Sequence, residues 1–309
     1  MAKEKIVVTK KENQIKDSTQ DKVLYFFAYL IMTFSLIVVG YPLIFVLSAS
    51  FSSGVAISQG RVFLWPVDVT LDGYEAVFKH KLIVSGYINT IAYTCVGTFV
   101  NVAVTLLCAY PLSRRDMQWK GFYMFLFVFT MYFGGGLIPT YLWINNMKLV
   151  NTFWVMILPG LMSTYNMIIM RTSIQSGIPQ EMLEASMIDG CSDIQYFWYM
   201  VLPLSTATIA VISLYYAVGH WNAYFNALIY LTDRSRYPLQ IILREILVSN
   251  QVSMAEVEGI DPEALAAMAN LANQLKYALI IVSCGPILLA YPFVQKYFVK
   301  GVMIGSVKG

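Results

Sequence analysis

The chain has 309 residues, of which 58% are hydrophobic and 13% are charged, and its net charge at pH 7 is +3. Soluble domains carry about 25% charged residues, so this composition is typical of a protein embedded in a membrane. The basic residues lie in loops and tails, which argues against nucleic-acid binding, and the scattered cysteines form neither a disulfide framework nor a Cys-x-x-Cys metal site.

Six apolar segments are each long enough to cross a bilayer, which takes about 20 residues of helix. They are residues 23–51, 82–110, 121–143, 153–170, 202–231 and 277–298. Only helices satisfy their own backbone hydrogen bonds in lipid at this length. The sequence therefore predicts an all-α, polytopic membrane bundle of about six transmembrane helices over residues 23–298, with a polar tail at 1–22 and another at 299–309.

Lysine and arginine counts predict the orientation of the bundle. With both termini inside, the cytoplasmic segments together with Lys296 at the end of the last span hold 13 of these residues, and the outer segments hold 8. Positive charge favours the cytoplasmic side, so we expect both termini there. The segment 171–201 is then cytoplasmic, and the segment 232–276 lies outside.

Three consecutive glycines, Gly134 to Gly136, precede Pro139 in the third apolar segment. They predict a bend or an interruption of the span. Two interpretations stay open, because glycines serve both as hinges and as sites of close helix packing in membranes.

The segment 171–201 reads as two short helices. Pro179 suits a helix start and Gly190 a helix end. A capping box then starts at Ser192. Apolar residues follow at the spacing of one helical face: Ile194, Phe197, Trp198 and Val201. Such a unit either docks a partner or merely covers the bundle.

The fifth apolar segment holds a cluster of aromatic and polar side chains. Its members are Tyr216, His220, Trp221, Asn222 and Tyr224. Aromatic faces with hydrogen-bonding groups suit sugars, so we consider the cluster a translocation path. Helical spacing puts Tyr216, His220 and Tyr224 on one face. Interhelical packing and an interfacial aromatic belt explain the cluster equally well.

The segment 232–276 is long for a connection between helices. Asp261 and Pro262 suit the start of a helix that continues through residues 264–273. The segment is either a surface for a partner protein on the outer side or a lid over the bundle.

One motif carries a resemblance to a known family. It consists of Glu184, Ala185, Ser186, Asp189 and Gly190, followed by Leu202 and Pro203. This pattern resembles the cytoplasmic EAA loop of permease subunits in binding-protein-dependent ABC importers, with Ser186 in place of a usual alanine. The stretch 291–309 resembles the tail of maltose-type sugar permeases. The stretches 133–140 and 237–244 resemble the branch that imports complex polysaccharide fragments.

The resemblance implies an importer of oligosaccharides in a bacterial cytoplasmic membrane. Its expected partners are a second, different permease, two ATPase subunits and an extracellular solute-binding protein. The EAA helix would dock on an ATPase, which would bind ATP and Mg²⁺; this chain itself needs no cofactor and is not expected to be an enzyme. Lys308 and Gly309 are further residues that would contact the ATPase.

Other classes of protein fit less well. The chain has no Gly-Lys dipeptide and hence no phosphate-binding loop, so energy must come from another subunit. A secondary transporter usually needs acidic groups inside the membrane, and the apolar segments contain none. No motif of an intramembrane enzyme is present. An ABC permease for a non-sugar solute remains an alternative.

Overall fold

The computed structural model describes the backbone of residues 18–255 and 262–306, with side chains within 18–248 and 266–289 and at positions 292 and 295. The first helices are α1 (Thr19–Ser50), α2 (Gly54–Ser58), α3 (Asp72–Phe78), α4 (Ile83–Ser113), α5 (Lys120–Tyr132), α6 (Leu137–Asn146) and α7 (Thr164–Gly177). There follow α8 (Gln180–Ile188), α9 (Asp193–Tyr196), α10 (Leu202–Leu204), α11 (Thr206–Trp221), α12 (Phe225–Tyr230), α13 (Leu239–Ala255) and α14 (Pro262–Ser306).

Within the described residues, α1, α4 and α14 are each long and apolar enough to cross a membrane. Three bent helix pairs bring the number of spans to as many as 6. The predicted all-α membrane bundle is therefore confirmed. The apolar stretch of α1 is 0% buried, so its side chains face lipid or another subunit rather than this chain.

The glycines of the third apolar segment do interrupt the span. Helices α5 and α6 meet at 114° across the Gly134–Gly136 break, and Gly136 has a φ of +85°. A left-handed backbone of this kind is readily available to glycine because it has no Cβ. No other side chain or backbone of the described chain packs closely on Gly134 or Gly136, which argues against close helix packing at this point.

Two predicted spans are not single straight helices. The segment 153–170 begins with two 3₁₀ turns, Phe153–Met156 and Leu158–Gly160, and then bends by 57° into α7. Pro159 lies in the second turn, where its missing N–H costs no helical hydrogen bond. Apolar composition predicted a span here but did not reveal this break.

The segment 202–231 is also divided. A bend of 79° at Ser205 separates α10 from α11, and α11 ends at Trp221. Asn222 follows, and its side-chain amide donates to the Val218 carbonyl at 3.0 Å. Asparagine side chains compete with the backbone in this way and favour helix ends. The predicted 30-residue apolar span is therefore broken twice by polar residues.

The segment 232–276 is mostly helical and is partly buried. α13 buries Leu239, Ile241 and Ile242 almost completely, at 0 to 2% exposure. The predicted helix start at Pro262 is confirmed, since α14 begins there; Asp261 lies outside the described residues. The predicted boundary at residue 276 is not a helix boundary, because α14 continues through it.

The buried side chains form two main clusters at opposite ends of α4. One cluster combines the first half of α4 with α12, α13 and α14, around Ile83, Tyr93 and Ile242. The other combines the second half of α4 with α7 and α11, around Leu106 and Met170. Helix α4 therefore belongs to both clusters and runs the whole length of the bundle.

Candidate functional site: the EAA segment and its groove

The chain turns sharply after α8, at Gly190. This residue has a φ of +78°, in the left-handed region. Its N–H donates to the Met187 carbonyl at 3.1 Å, and the Cys191 N–H donates to the Ser186 carbonyl at 2.9 Å. The two bonds form a Schellman motif, which pairs carbonyls that the end of a helix would leave free. The expected glycine-terminated helix is confirmed, with a backbone reason for glycine.

One face of α8 is fully open. Glu181, Glu184, Ala185 and Ile188 follow the spacing of a single helical face. All four are exposed, and Ile188 has 86% of its surface free. Ile188 thus places one apolar side chain beside the carboxylates of this face. This face is the part of α8 that the rest of the described chain leaves free.

Ser186 lies on the opposite face of α8. It is 7% exposed, and its hydroxyl donates to the Leu183 carbonyl at 2.7 Å. Ser186 therefore faces the bundle in this chain, and its part in docking stays a prediction. Ala185, Asp189 and Gly190 are exposed, as a contact surface requires.

Helix α8 borders an open groove of about 830 Å³. The ends of α4 and α7 form the other walls. Its lining includes Ser113, Arg114, Gln175, Glu181 and Glu184. One concave surface thus presents a cation and carboxylates together.

Arg114 joins the end of α4 to α9. Its side chain is 13% exposed and forms ion pairs with Asp116, at 2.6 Å, and with Asp193. The hydrogen bond from Arg114 is the main cause that lowers the pKa of Asp116, and the same bond raises the pKa of Arg114. Both groups therefore stay ionised at physiological pH.

The predicted capping box at Ser192 is confirmed. The Ser192 hydroxyl accepts from the Gln195 N–H at 3.3 Å, while the Gln195 side chain accepts from the Ser192 N–H at 2.9 Å. Beyond this cap, α9 passes into a π turn at Phe197–Val201. Leu202 is half-buried and Pro203 is exposed in the next turn.

The π turn changes which side chains share a face. Ile194 and Trp198 are 72% and 61% exposed, whereas Val201 is fully buried. The prediction of one apolar face through these residues is therefore wrong. A π turn closes i to i+5 hydrogen bonds, so it rotates the later residues away from a 3.6-residue period. Tyr196 packs inward instead, at 5% exposure.

Known proteins similar to this chain match it over nearly its whole length. The polygalacturonan/rhamnogalacturonan transport system permease protein YtcP of Bacillus subtilis (strain 168) is 38% identical over 298 residues, covering 96% of this chain and all of that protein. This chain belongs to the family of ABC transporter permease subunits. Protein LplC of the same strain is 37% identical to the permease over 268 residues, or 87% of this chain and 89% of that one.

A solved structure is similar in fold as well. A chain from the crystal structure of a bacterial ABC transporter involved in the import of the acidic polysaccharide alginate has a TM-score of 0.78 to the permease, with 31% identity. The alignment covers 92% of the permease and 99% of that chain. No protein-family model matches the permease.

Two members of the aromatic cluster are tied into the packing of the permease. The Tyr216 hydroxyl lies 2.7 Å from Thr105 Oγ1 and accepts from the Ser163 N–H at 2.9 Å. The Trp221 Nε1 donates to the Ser283 carbonyl at 2.9 Å. Both aromatic residues are 7% exposed. Their geometry favours interhelical packing.

The other members lie elsewhere. His220 packs against Gly97 of α4, where a Cβ would come within 2.4 Å of its Nε2. Asn222 and Tyr224 lie beyond the end of α11 and are exposed. The prediction that Tyr216, His220 and Tyr224 share one helical face is therefore wrong, because the helix ends before Tyr224.

Sequence analysis did not identify a set of buried polar atoms along α4. Thr94 Oγ1, Thr98 Oγ1, Asn101 Oδ1 and His220 Nε2 are buried and have no hydrogen-bond partner among the described residues. The three α4 residues recur every three or four positions, which the sequence does show as a polar line in an apolar helix. Their burial depends on α11, which no local pattern predicts.

The remaining predicted residues, Lys308 and Gly309, lie outside the described residues. Among the residues that the structure does describe, no group of three His, Cys, Asp or Glu side chains could hold a metal ion.

Proposed function

We propose that this permease imports oligosaccharides in a complex with a second, different permease, two ATPase subunits and an extracellular solute-binding protein. ATP and Mg²⁺ bind in the ATPases, and this chain performs no enzymatic step. The complex lies in a bacterial cytoplasmic membrane, with both termini and the segment 171–201 on the cytoplasmic side. The excess of lysine and arginine in those segments supports this orientation.

The observation that carries the proposal is the whole-length similarity to YtcP, whose name gives polygalacturonan and rhamnogalacturonan as its substrates. The similar solved chain comes from an importer of alginate, which is an acidic polysaccharide. Uronic acids carry a carboxylate on each sugar. We therefore take the substrate to be an acidic oligosaccharide.

The exposed face of α8 supports docking of the ATPase. Glu184 and Asp189 carry negative charge, and the small side chain of Ala185 allows a partner surface to approach closely. Ile188 is an apolar anchor of the kind that carries binding energy in interfaces. Gly190 sets the angle at which α8 leaves this surface. Leu202 and Pro203 begin the path back to α11, so movement of α8 displaces a spanning helix.

A cation near the end of α11 suits an acidic substrate. The Arg244 guanidinium lies 5.5 Å from the centre of the Tyr224 ring. Both side chains are exposed, and no carboxylate in the described part of the chain pairs with Arg244. Arginine binds carboxylates in a bidentate way, and an aromatic face suits a sugar ring. With His220 and Asn222, these residues form our proposed outer part of the translocation path, while Tyr216 and Trp221 support it by packing.

The first experiment is an ATPase assay in lipid nanodiscs that contain this permease, its neighbouring permease and the ATPase. Addition of binding protein loaded with an acidic oligosaccharide should stimulate hydrolysis. Stimulation by a peptide instead would indicate an ABC permease for another solute. If no ATPase co-purifies with the permease, the proposed function is wrong, and a secondary transporter becomes the next hypothesis.

Substrate charge is tested by Arg244→Gln. This variant should lower transport of an oligogalacturonate and leave unchanged the transport of the same oligosaccharide after its carboxylates are reduced. Transport of the oligogalacturonate by Arg244→Lys should lie between that of Arg244→Gln and that of the wild type. Arg234→Gln is the matched control, because Arg234 already faces Glu245 at 3.8 Å. If Arg244→Gln lowered transport of the acidic and the reduced oligosaccharide equally, Arg244 would not recognise the carboxylate.

A further inference from the structure

The segment 171–201 is fastened to α4 on both sides of α8. Before α8, Arg171 Nε donates to the Leu112 carbonyl at 2.9 Å. After α8, Asp193 pairs with Arg114. Leu112 and Arg114 lie within the last turn of α4 or just beyond it. The end of α4 therefore contacts the chain both before and after the exposed helix α8.

The carbonyls at this end of α4 need such partners. The last four carbonyls of a helix have no partner within it, and cations are favourable there. Arg171 satisfies one of them, and Lys120 Nζ donates to the Arg114 carbonyl at 3.0 Å. The basic side chains of Arg114, Lys120 and Arg171 thus lie at one helix end, and Arg114 also pairs with Asp193.

The opposite end of α4 is fastened to the segment that precedes α13. Thr90 Oγ1 accepts from the Leu239 N–H at 2.7 Å. Asn89 Nδ2 donates to the Tyr237 carbonyl at 3.0 Å, and the Tyr93 hydroxyl donates to the Arg236 carbonyl at 2.9 Å. These bonds fix the backbone of the segment 236–239 to the first turns of α4.

Helix α4 is long enough to connect both sides of a membrane. Its 31 residues span about 46 Å, compared with about 30 Å for the hydrocarbon core. It packs on α7 and α11 along this length and takes part in both buried clusters. A displacement at one end is therefore transmitted along a rigid, well-packed element.

We propose that α4 carries the movement of the segment 171–201 to the opposite end of the bundle, and that Arg114 is the positioning residue that couples them. This inference rests on the proposed function, since it assumes that an ATPase moves α8. Arg114 does not itself bind the ATPase or the substrate. It holds Asp193 to the end of α4, so that α8 and α4 move as one body.

The test uses the complete complex in nanodiscs. Arg114→Gln and Asp193→Asn should each leave the ATPase bound and its basal hydrolysis unchanged. Each should lower the stimulation by loaded binding protein about two- to thirtyfold, the range that residues along a coupling network produce. The double variant should be no worse than Arg114→Gln alone, because Arg114→Gln already breaks the bond to Asp193.

Arg115→Gln is the matched control, since it removes the same charge from an exposed neighbour for which the described part of the chain provides no ion pair. It should keep stimulation within about twofold of the wild type. Asp193 is 65% exposed, so Asp193→Asn provides a variant that folds even if Arg114→Gln does not.

The proposal would be overturned if the losses of stimulation in Arg114→Gln and Asp193→Asn added up in the double variant. It would also be overturned if Arg115→Gln lost as much stimulation as these variants do. Failure of the wild-type permease to retain the ATPase would instead overturn the proposed function.

Discussion

The segments 171–201 and 232–276 both connect apolar stretches of the chain, and for both the sequence left open a surface for a partner protein or a cover over the bundle. Their structures differ. The first consists of short helices with an exposed face, closed by a Schellman turn at Gly190 and a capping box at Ser192. The second contributes α13, which is buried against α4 and α14 through Leu239 and Ile242.

The difference shows which loops a sequence can describe. Caps and glycine turns act within a few residues, so the first segment could be predicted closely. Burial of α13 depends on residues up to about 150 positions away, such as Thr90, whose hydroxyl accepts from Leu239. A segment that connects two apolar stretches can therefore still supply part of the core.

The largest effect on transport is expected at the glycine turn. Gly190→Asp should leave membrane insertion intact and abolish transport, because it adds a side chain and a negative charge to the exposed surface at the turn. Insertion is measured by membrane fractionation and transport by uptake of labelled oligosaccharide. Gly190→Asn should retain part of the transport, since asparagine adopts this conformation as readily as aspartate does and carries no charge.

Gly177→Asp is the control for this pair. Gly177 has nothing near its missing Cβ and does not have a positive φ. Normal uptake by Gly190→Asp would show that the turn does not serve docking.

The largest effect on stability is expected in the segment 232–276. Ile242→Ala should destabilise the permease by about 2–5 kcal/mol, because Ile242 is 0% exposed. Val248→Ala, on the same helix but 44% exposed, should lower the stability of the permease much less. Thermal unfolding in nanodiscs measures both. Equal melting temperatures for the two variants would mean that α13 is not part of the core.

A smaller effect is expected on the exposed face of α8. Ile188→Ala should weaken binding of the ATPase by at least about 1 kcal/mol, as for an apolar anchor, without changing the melting temperature. Leu183→Ala, on the inner face, should lower the melting temperature instead. Affinity of the purified ATPase for nanodiscs separates the two. If Ile188→Ala binds as the wild type does, this face is not the docking surface.

The smallest effect is expected at the capping box. Ser192→Ala should lower stability by about 1 kcal/mol, because the N–H groups at the start of α9 lose their acceptor. Ser192→Asp should keep most of the stability, since aspartate caps equally well. A melting temperature for the alanine variant equal to that of the wild type would show that the box is dispensable.

The sequence by itself determined that this protein is an all-α membrane bundle, because a run of about 20 apolar residues leaves the backbone no alternative to a helix in lipid. It also determined the turn at Gly190, the cap at Ser192 and the break at Gly134–Gly136, because each depends on the conformation of a few adjacent residues.

The tertiary structure decided what these elements contact. The inward face of Ser186 and the burial of α13 both depend on helices that are distant in sequence. The ion pair between Arg114 and Asp193 joins residues 79 positions apart. Side-chain pairing at such separations depends on how the helices pack, and helical periodicity alone does not specify that packing.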